Sequence, residues 1–472
     1  MIIEAAAIIE ANAAKLAFLA PLIAAALSLL APTPRWSWAL GVMGSAASLV
    51  LSLQVALNPE PYQADGVGAF VAPLAAGCGL LALFAAWPRT SAQQGVYAHA
   101  LGLCVIGGWV GALLAQDFIG AYVAAMAAWL AGVSLIGLNG VQDRAALNGA
   151  LRMLVAGGVA SALYLAGVAF VLRGSGVLSF AALSGLGSVS AIGVAGVAMM
   201  IAALAVLAAA APFHFWAAGA LGRAGTSASL TVGAVGLTGA IGLLLRFGAH
   251  AAIAPGAAGA ASAVLAAIGA ACVLIGSFQA MGAANVRRLA VYAATVQAGG
   301  VLIAAALGSP AGIAAALVQV FALTAAMVAL FGAAASAGNA RTLNALDGLA
   351  RRAPVAAFTI MLGALSLMGA PLTIGFLGRW RLIEAGVGAG WWWAAGAMIA
   401  ASLAGVFYGG RLIERVYFRR AAASLRAAPL AEQLLRAPTL AAAVAAIATG
   451  LAPIWLLDLA SRAAATLFGG AL

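Results

Sequence analysis

The sequence predicts an all-α polytopic membrane protein. Three observations carry that reading. Of 472 residues, 65% are hydrophobic and 7% charged, against roughly 25% charged in a soluble chain. Mean hydropathy is +1.12. Apolar runs long enough to cross a bilayer, about 20 residues each, follow one another with short loops between them.

Taken in order, these runs fall near 15–32, 36–57, 67–87, 95–115, 118–138, 148–172, 190–210, 226–248, 257–281, 286–308, 310–337, 353–375, 389–409 and 438–459. That is about fourteen helices at the length a bilayer requires. The first segment carries Glu4 and Glu10 and precedes further spans rather than a soluble domain, which is unlike a secretory signal. Two runs are interrupted. The seventh reaches Ala211-Pro212-Phe213-His214-Phe215-Trp216 and resumes over 212–221; the twelfth reaches Met368-Gly369-Ala370-Pro371 and resumes over 376–386, with Arg379 just beyond. Proline removes a backbone donor, and carbonyls freed at such a break must find partners in protein or water. An ionisable residue beside the break is then a functional-site candidate, and paired breaks in the two halves of a chain point to an inverted-repeat transporter.

The net charge of +11 does not indicate nucleic acid, because the arginines are dispersed among short loops. Counted by alternate loops, sixteen basic residues fall on one side, against Lys15, Arg173, Arg246 and Arg462 on the other, with Arg379 and Arg381 assigned to the broken helix. Positive residues favour the cytoplasm, so both termini are expected outside. The longest polar stretch, Arg411 to Pro438, is expected to be a basic connector meeting anionic lipid, and Leu430 to Leu435 to be able to form a short interfacial helix. Cys78, Cys104 and Cys272 lie in apolar segments without a CxxC spacing and read as core residues; with only His99, His214 and His250, no metal site is expected. The alanine, glycine and arginine richness points to a high-GC genome and hence a bacterial inner membrane.

At Pro212 to Trp216 and again at Ser366 to Arg379, the sequence resembles the antiporter-like membrane subunits of respiratory complex I and of the Mrp cation/proton antiporters. Asn285-Val286-Arg287-Arg288-Leu289-Ala290-Val291-Tyr292 with Gln297-Ala298-Gly299 is similar to the family's N-x-K-R-L-L-A-Y-S-S-I-x-H-x-G segment. Gly348 to Pro354 is similar to its G-L-x-x-x-x-P, and Tyr408, Arg411, Tyr417 and Phe418 to the close of the thirteenth helix in the complex I N-type subunit, the nearer of the two types. The resemblance implies two inverted five-helix repeats, helices four to eight over 95–248 and nine to thirteen over 257–409, after N-terminal helices over 1–94 and before a basic loop over 410–437 and a last helix over 438–472.

It also implies a midplane series of buried charges, from which this chain departs. The family's fifth-helix glutamate aligns with Met126, its seventh-helix lysine with Leu207, its eighth-helix lysine with Leu237 and its tenth-helix histidine with Gln297. Arg152 and Arg379 stand where the family has lysines. A buried lysine can relay protons because burial lowers its pKa. Arginine cannot be deprotonated in a protein, so these two can gate or bias a water wire but not carry its protons.

The remaining candidates have two readings each. His214 takes protons near neutral pH or caps freed backbone groups. Arg246 belongs to the path or snorkels at the end of the eighth helix. Tyr122, Thr238, Gln297, Gln319 and Thr324 hydrate a path or bond neighbouring helices. Glu384 pairs with Arg381 or faces a partner. His99 reads as a packing or interfacial residue and His250 as solvated near the outer interface. The expected function is an antiporter-like subunit of a machine related to complex I, Mrp antiporters or membrane-bound hydrogenases, moving protons or cations in step with partner chemistry such as NADH:quinone oxidoreduction. It has no active site or cofactor of its own, and its partners are other membrane subunits, lipid and, through those subunits, redox proteins and quinone. The alternative is a degenerate, non-conducting structural subunit. A single-chain solute transporter is less well supported, for want of a charged pair at the midplane.

Overall fold

A computed structural model describes residues 12–85, 92–138, 143–185, 188–336, 342–420 and 436–469. The expected interfacial helix at Leu430 to Leu435, the orientation residues Arg89, Arg341 and Arg426, and both chain ends lie outside the described residues. The described chain is helical without named strands: α1 (Ala13–Leu29), α2 (Pro34–Leu57), α3 (Gly66–Ala85), α4 (Ala92–Leu114), α5 (Phe118–Gly137), α6 (Arg144–Ser175), a short α7 (Phe180–Ser184), α8 (Ala191–Leu207), α9 (Phe215–Leu221), α10 (Ser227–Ile253), α11 (Ala258–Gly282), α12 (Val286–Ala306), α13 (Pro310–Ser336), α14 (Pro354–Met368), α15 (Ile374–Gly388), α16 (Trp392–Tyr417), α17 (Arg436–Leu451) and α18 (Ile454–Ala465).

Among the described residues, ten helices are long and apolar enough to cross a membrane alone, and an eleventh if the bent pair α17–α18 is one span. Three shorter apolar helices, α1, α8 and α14, stand outside that number, so the expected fourteen is reached only if each of these also crosses, the latter two with their continuations. The expected last span over 438–459 is not straight. It bends by 86° between Leu451 and Ile454, where Pro453 cannot continue a helix. The twelfth run breaks earlier than its apolarity suggests, because Gly369 adopts φ +72° and closes α14 at Met368. A π-helical stretch over Thr231–Gly236, which apolar patterning cannot reveal, lies inside α10.

Burial sorts the helices. Those at the centre, α10, α12 and α13, are buried on nearly every face, whereas α2, α6, α11 and α16 keep broad apolar faces outward, as lipid-facing helices do. Where helices touch, glycine permits the approach: a Cβ on Gly299 of α12 would come within 2.7 Å of the Gly269 carbonyl of α11. A similar tether occurs in each half. Asp117 caps α5 and bridges to Ser179, while Asn285 caps α12 and bridges to Thr342, each pairing a helix start with the loop that leads towards a broken helix.

Candidate functional site

Both breaks use one backbone device. At the first, Ala209 adopts φ +50° and the Ala210 N–H donates to the Ala205 carbonyl at 2.9 Å; at the second, Gly369 adopts φ +72° and the Ala370 N–H donates to the Leu365 carbonyl at 3.0 Å. A left-handed residue followed by a six-to-one bond is how a helix C-terminus satisfies some of its last carbonyls. The two breaks differ in the side chains that donate to these last carbonyls.

In the first break the Trp216 indole N–H donates to the Val206 carbonyl at 2.8 Å, and the Thr295 hydroxyl to the Ala209 carbonyl at 3.1 Å. The Ala211 N–H reaches the Cys272 sulfur at 3.0 Å, which gives one of the core cysteines a local role. His214 shares a 2.5 Å hydrogen bond with Gln279 through Nε2, and its buried Nδ1 has no partner. The positions without family charges close this half. Met126 and Leu207 line a cavity of ≈ 10 Å³ with Tyr122 and Leu243; Leu207 lines another of ≈ 10 Å³ with Trp109, Trp129, Met153 and Trp216. Each has room for about one water centre, and such apolar walls give a water few of the 2–4 polar partners it needs. Leu237 is equally buried.

In the second break the Arg379 guanidinium replaces the indole. Nη1 donates to the Met368 carbonyl at 2.6 Å and to the Ser402 hydroxyl at 2.7 Å, and Nη2 to the Leu367 carbonyl at 2.5 Å. Gln297 also donates to the Leu367 carbonyl, at 3.1 Å, and Gln319 donates to the Gln297 side-chain carbonyl. Beyond them on α13, Thr324 meets Thr238 of α10 at 3.0 Å. Gly378 leaves the space Gln319 occupies, since a Cβ there would lie 2.4 Å from Oε1. Two buried polar atoms around this cluster, Gln319 Oε1 and Ser366 Oγ, have no hydrogen-bond partner, and the Tyr408 hydroxyl faces the Arg379 guanidinium. Such orphans usually mark ordered water.

The structure therefore joins Arg379, Gln297 and Gln319 in one cluster, with Thr238 and Thr324 as a second polar pair farther along α13. It leaves other expected residues outside. Arg152 is exposed on α6, near Gly219 of α9. Tyr122 bonds Ser161 and stacks on Tyr164, which ties it to α6. Glu384 is exposed, 3.1 Å from Arg381 and hydrogen-bonded by Trp380. His99 is buried against Ser37. His250 is not solvated: it is buried, 3.2 Å from Ser184 and 3.7 Å from Asp65. Nor does Arg246 snorkel. It lies 2.5 Å from Asp65, over the Phe180 ring at 4.0 Å. Asp65, just ahead of α3, was overlooked in the sequence; its only signal was an acidic residue immediately before a span, since Gly68 donates to it as to an N-cap at 2.8 Å. Burial raises the Asp65 carboxyl, but Arg246 beside it, then His250 and the Gly68 N–H, outweigh that and hold it well below the usual carboxylate range.

The membrane-domain family described as NADH:quinone oxidoreductase/Mrp antiporter, TM, matches residues 115–404, a stretch that contains both breaks. The chain belongs to that family. NADH-quinone oxidoreductase subunit N of Rhodopseudomonas palustris (strain BisA53) is 30% identical over 414 residues, 84% of this chain and 88% of that protein. Among solved structures, the Mrp complex from Dietzia sp. DQ12-45-1b holds a chain that superposes with a TM-score of 0.85 at 21% identity, covering 98% of each chain. Respiratory complex I from Thermus thermophilus gives 0.81 at 23% identity, covering 95% of this chain and 99% of its own. The fold is that of an antiporter-like membrane subunit, and the protein is multi-pass.

Proposed function

We propose that this chain is a proton-translocating subunit in the membrane arm of a complex I-, Mrp- or hydrogenase-related machine, and that conduction through it is confined to the second half. The observation that carries this reading is the contrast between the two breaks: orphaned buried oxygens and paired glutamines around Arg379, against tryptophan-lined cavities of ≈ 10 Å³ beside Leu207. Water bound by Gln319 and Ser366 would pass the protons. Arg379, always charged, would set the field they cross and repel a second positive charge beside it. Energy comes from partner subunits, as the names of the matched relatives and complexes suggest. The setting is a bacterial inner membrane with both termini outside.

A second reading, a non-conducting structural subunit, is favoured by one specific feature: Arg379 clamps α14 to α15 and α16 through three acceptors, an arrangement suited to holding a break shut. The two are separated in the assembled complex reconstituted in vesicles. Gln319→Leu should lower protons moved per turnover, while Leu207→Ile leaves them unchanged. A Gln319→Leu complex that assembles and pumps normally would establish the scaffold reading instead.

A further inference from the structure

A groove of ≈ 870 Å³ lies between α1, α4 and α5. Its lining changes character along its length. Lys15 and Asp117, each at or near the start of its helix, stand at one end with Tyr62, Gln63 and Gln116; Phe18 and Leu22 of α1, Val123 and Ala127 of α5 and the glycine-rich face of α4 form the apolar wall. Lys15, the chain's single lysine, and Asp117 are both exposed, and none of the ion pairs among the described residues uses either. From Lys15 to Leu22 and from Asp117 to Ala127 the helices advance about 10–15 Å at 1.5 Å per residue. That is the depth of one leaflet of a hydrocarbon core about 30 Å thick.

We propose that this groove is a phospholipid-binding site selective for a zwitterionic amine headgroup, of the phosphatidylethanolamine class, with the phosphate on Lys15, the ammonium on Asp117 and one acyl chain along the apolar wall. Two opposite charges at the mouth select the headgroup. Lysine is a compact phosphate binder. The Asp117 carboxylate already accepts the Gly120 N–H at 2.7 Å and keeps lone pairs for a further donor. A quinone head offers acceptors alone and would leave Asp117 unserved. An anionic phosphatidylglycerol would satisfy Lys15 but bring no cation to Asp117.

The test uses the full chain, purified in mild detergent together with whatever subunits accompany it. Retained lipid is read by native mass spectrometry, then phosphatidylethanolamine and phosphatidylglycerol are offered separately after delipidation. Phosphatidylethanolamine should be retained stoichiometrically. Asp117→Asn, which keeps a helix cap, should lower its retention about tenfold, the loss of one charge-assisted contact, without changing retention of phosphatidylglycerol. Lys15→Ala should lower both, and Ala127→Trp, which fills the groove, should abolish both while the melting temperature holds. The site is overturned if Ala127→Trp retains phosphatidylethanolamine as the parent does, if Asp117→Asn leaves the preference intact, or if the groove yields a quinone or is closed by a partner helix.

Discussion

At the first break the Trp216 indole serves the single carbonyl of Val206; at the second the Arg379 guanidinium serves those of Leu367 and Met368 and holds Ser402 as well. The backbone turns are alike down to the six-to-one bond. Backbone geometry and charge are therefore separable in this fold, and a break can form without a charged side chain to serve it. A neutral donor permits a close-packed, largely apolar surround, whereas a fixed charge requires polar company. That company is Gln297, Gln319, Ser402 and Tyr408 in the second half. The first half's remaining buried charge, Arg246, sits instead at the end of a span with a carboxylate beside it.

That contrast orders the expected effects of substitution. Arg246→Met should destabilise most, by about 3 kcal/mol, because it leaves the largely desolvated Asp65 carboxylate with only the more distant His250 and the Gly68 N–H to serve it. Arg379→Met should be milder, about 2 kcal/mol, since it strands carbonyls rather than a carboxylate and removes a charge that no acid balances. Thermal unfolding of the purified chain compares the two, and an Arg379→Met loss larger than that of Arg246→Met would undo the distinction between paired and unpaired charge. Trp216→Phe should follow at about 1 kcal/mol, because the Val206 carbonyl loses the indole and keeps only the Ala209 N–H at 3.3 Å.

The turns themselves supply a sharper test, again by melting. Gly369→Ala should destabilise by about 1–2 kcal/mol from left-handed strain, aggravated because its Cβ would lie 3.0 Å from the Arg379 side chain. Ala209→Gly should do the reverse and stabilise by about 0.5–1 kcal/mol, since glycine takes φ +50° without a Cβ penalty. Equal responses would mean that the two turns are not equivalent.

The smallest effect near neutrality concerns pH. The Asp65 carboxyl is held below its ordinary value, so its stabilising contribution is complete above about pH 3.9, the unfolded value, and is lost only as pH falls from there towards the folded one. A pH titration of stability should therefore show an acid loss that Asp65→Asn abolishes, while Arg379→Met leaves it in place.

Much of this was legible in the chain because the bilayer reduces folding to a few strong rules. Spans must be long and apolar, a proline or glycine inside one must break it, and a fixed cation beside a break is conspicuous. So the all-helical class, Pro212, Gly369 and Arg379 could be read directly, and the absence of Glu and Lys at Met126, Leu207 and Leu237 was a matter of spelling. Three-dimensional neighbourhood was not legible. Thr295 and Gln297 are two residues apart on α12, so they point to different sides, and the buried helix delivers one to each break. No local pattern encodes that, because it depends on α12 packing between the two broken helices. The same holds for Asp65 meeting Arg246 across 181 residues and for Arg152 turning outward. The sequence by itself determined that the chain is a helical multi-pass membrane protein and that two of its runs break at Pro212 and Gly369, since both follow from the transfer energetics of single residues and from backbone sterics. Which polar groups converge on a break, and which break is walled by apolar side chains, only the tertiary structure decided, because desolvated hydrogen bonds form between helices whose faces meet only after packing.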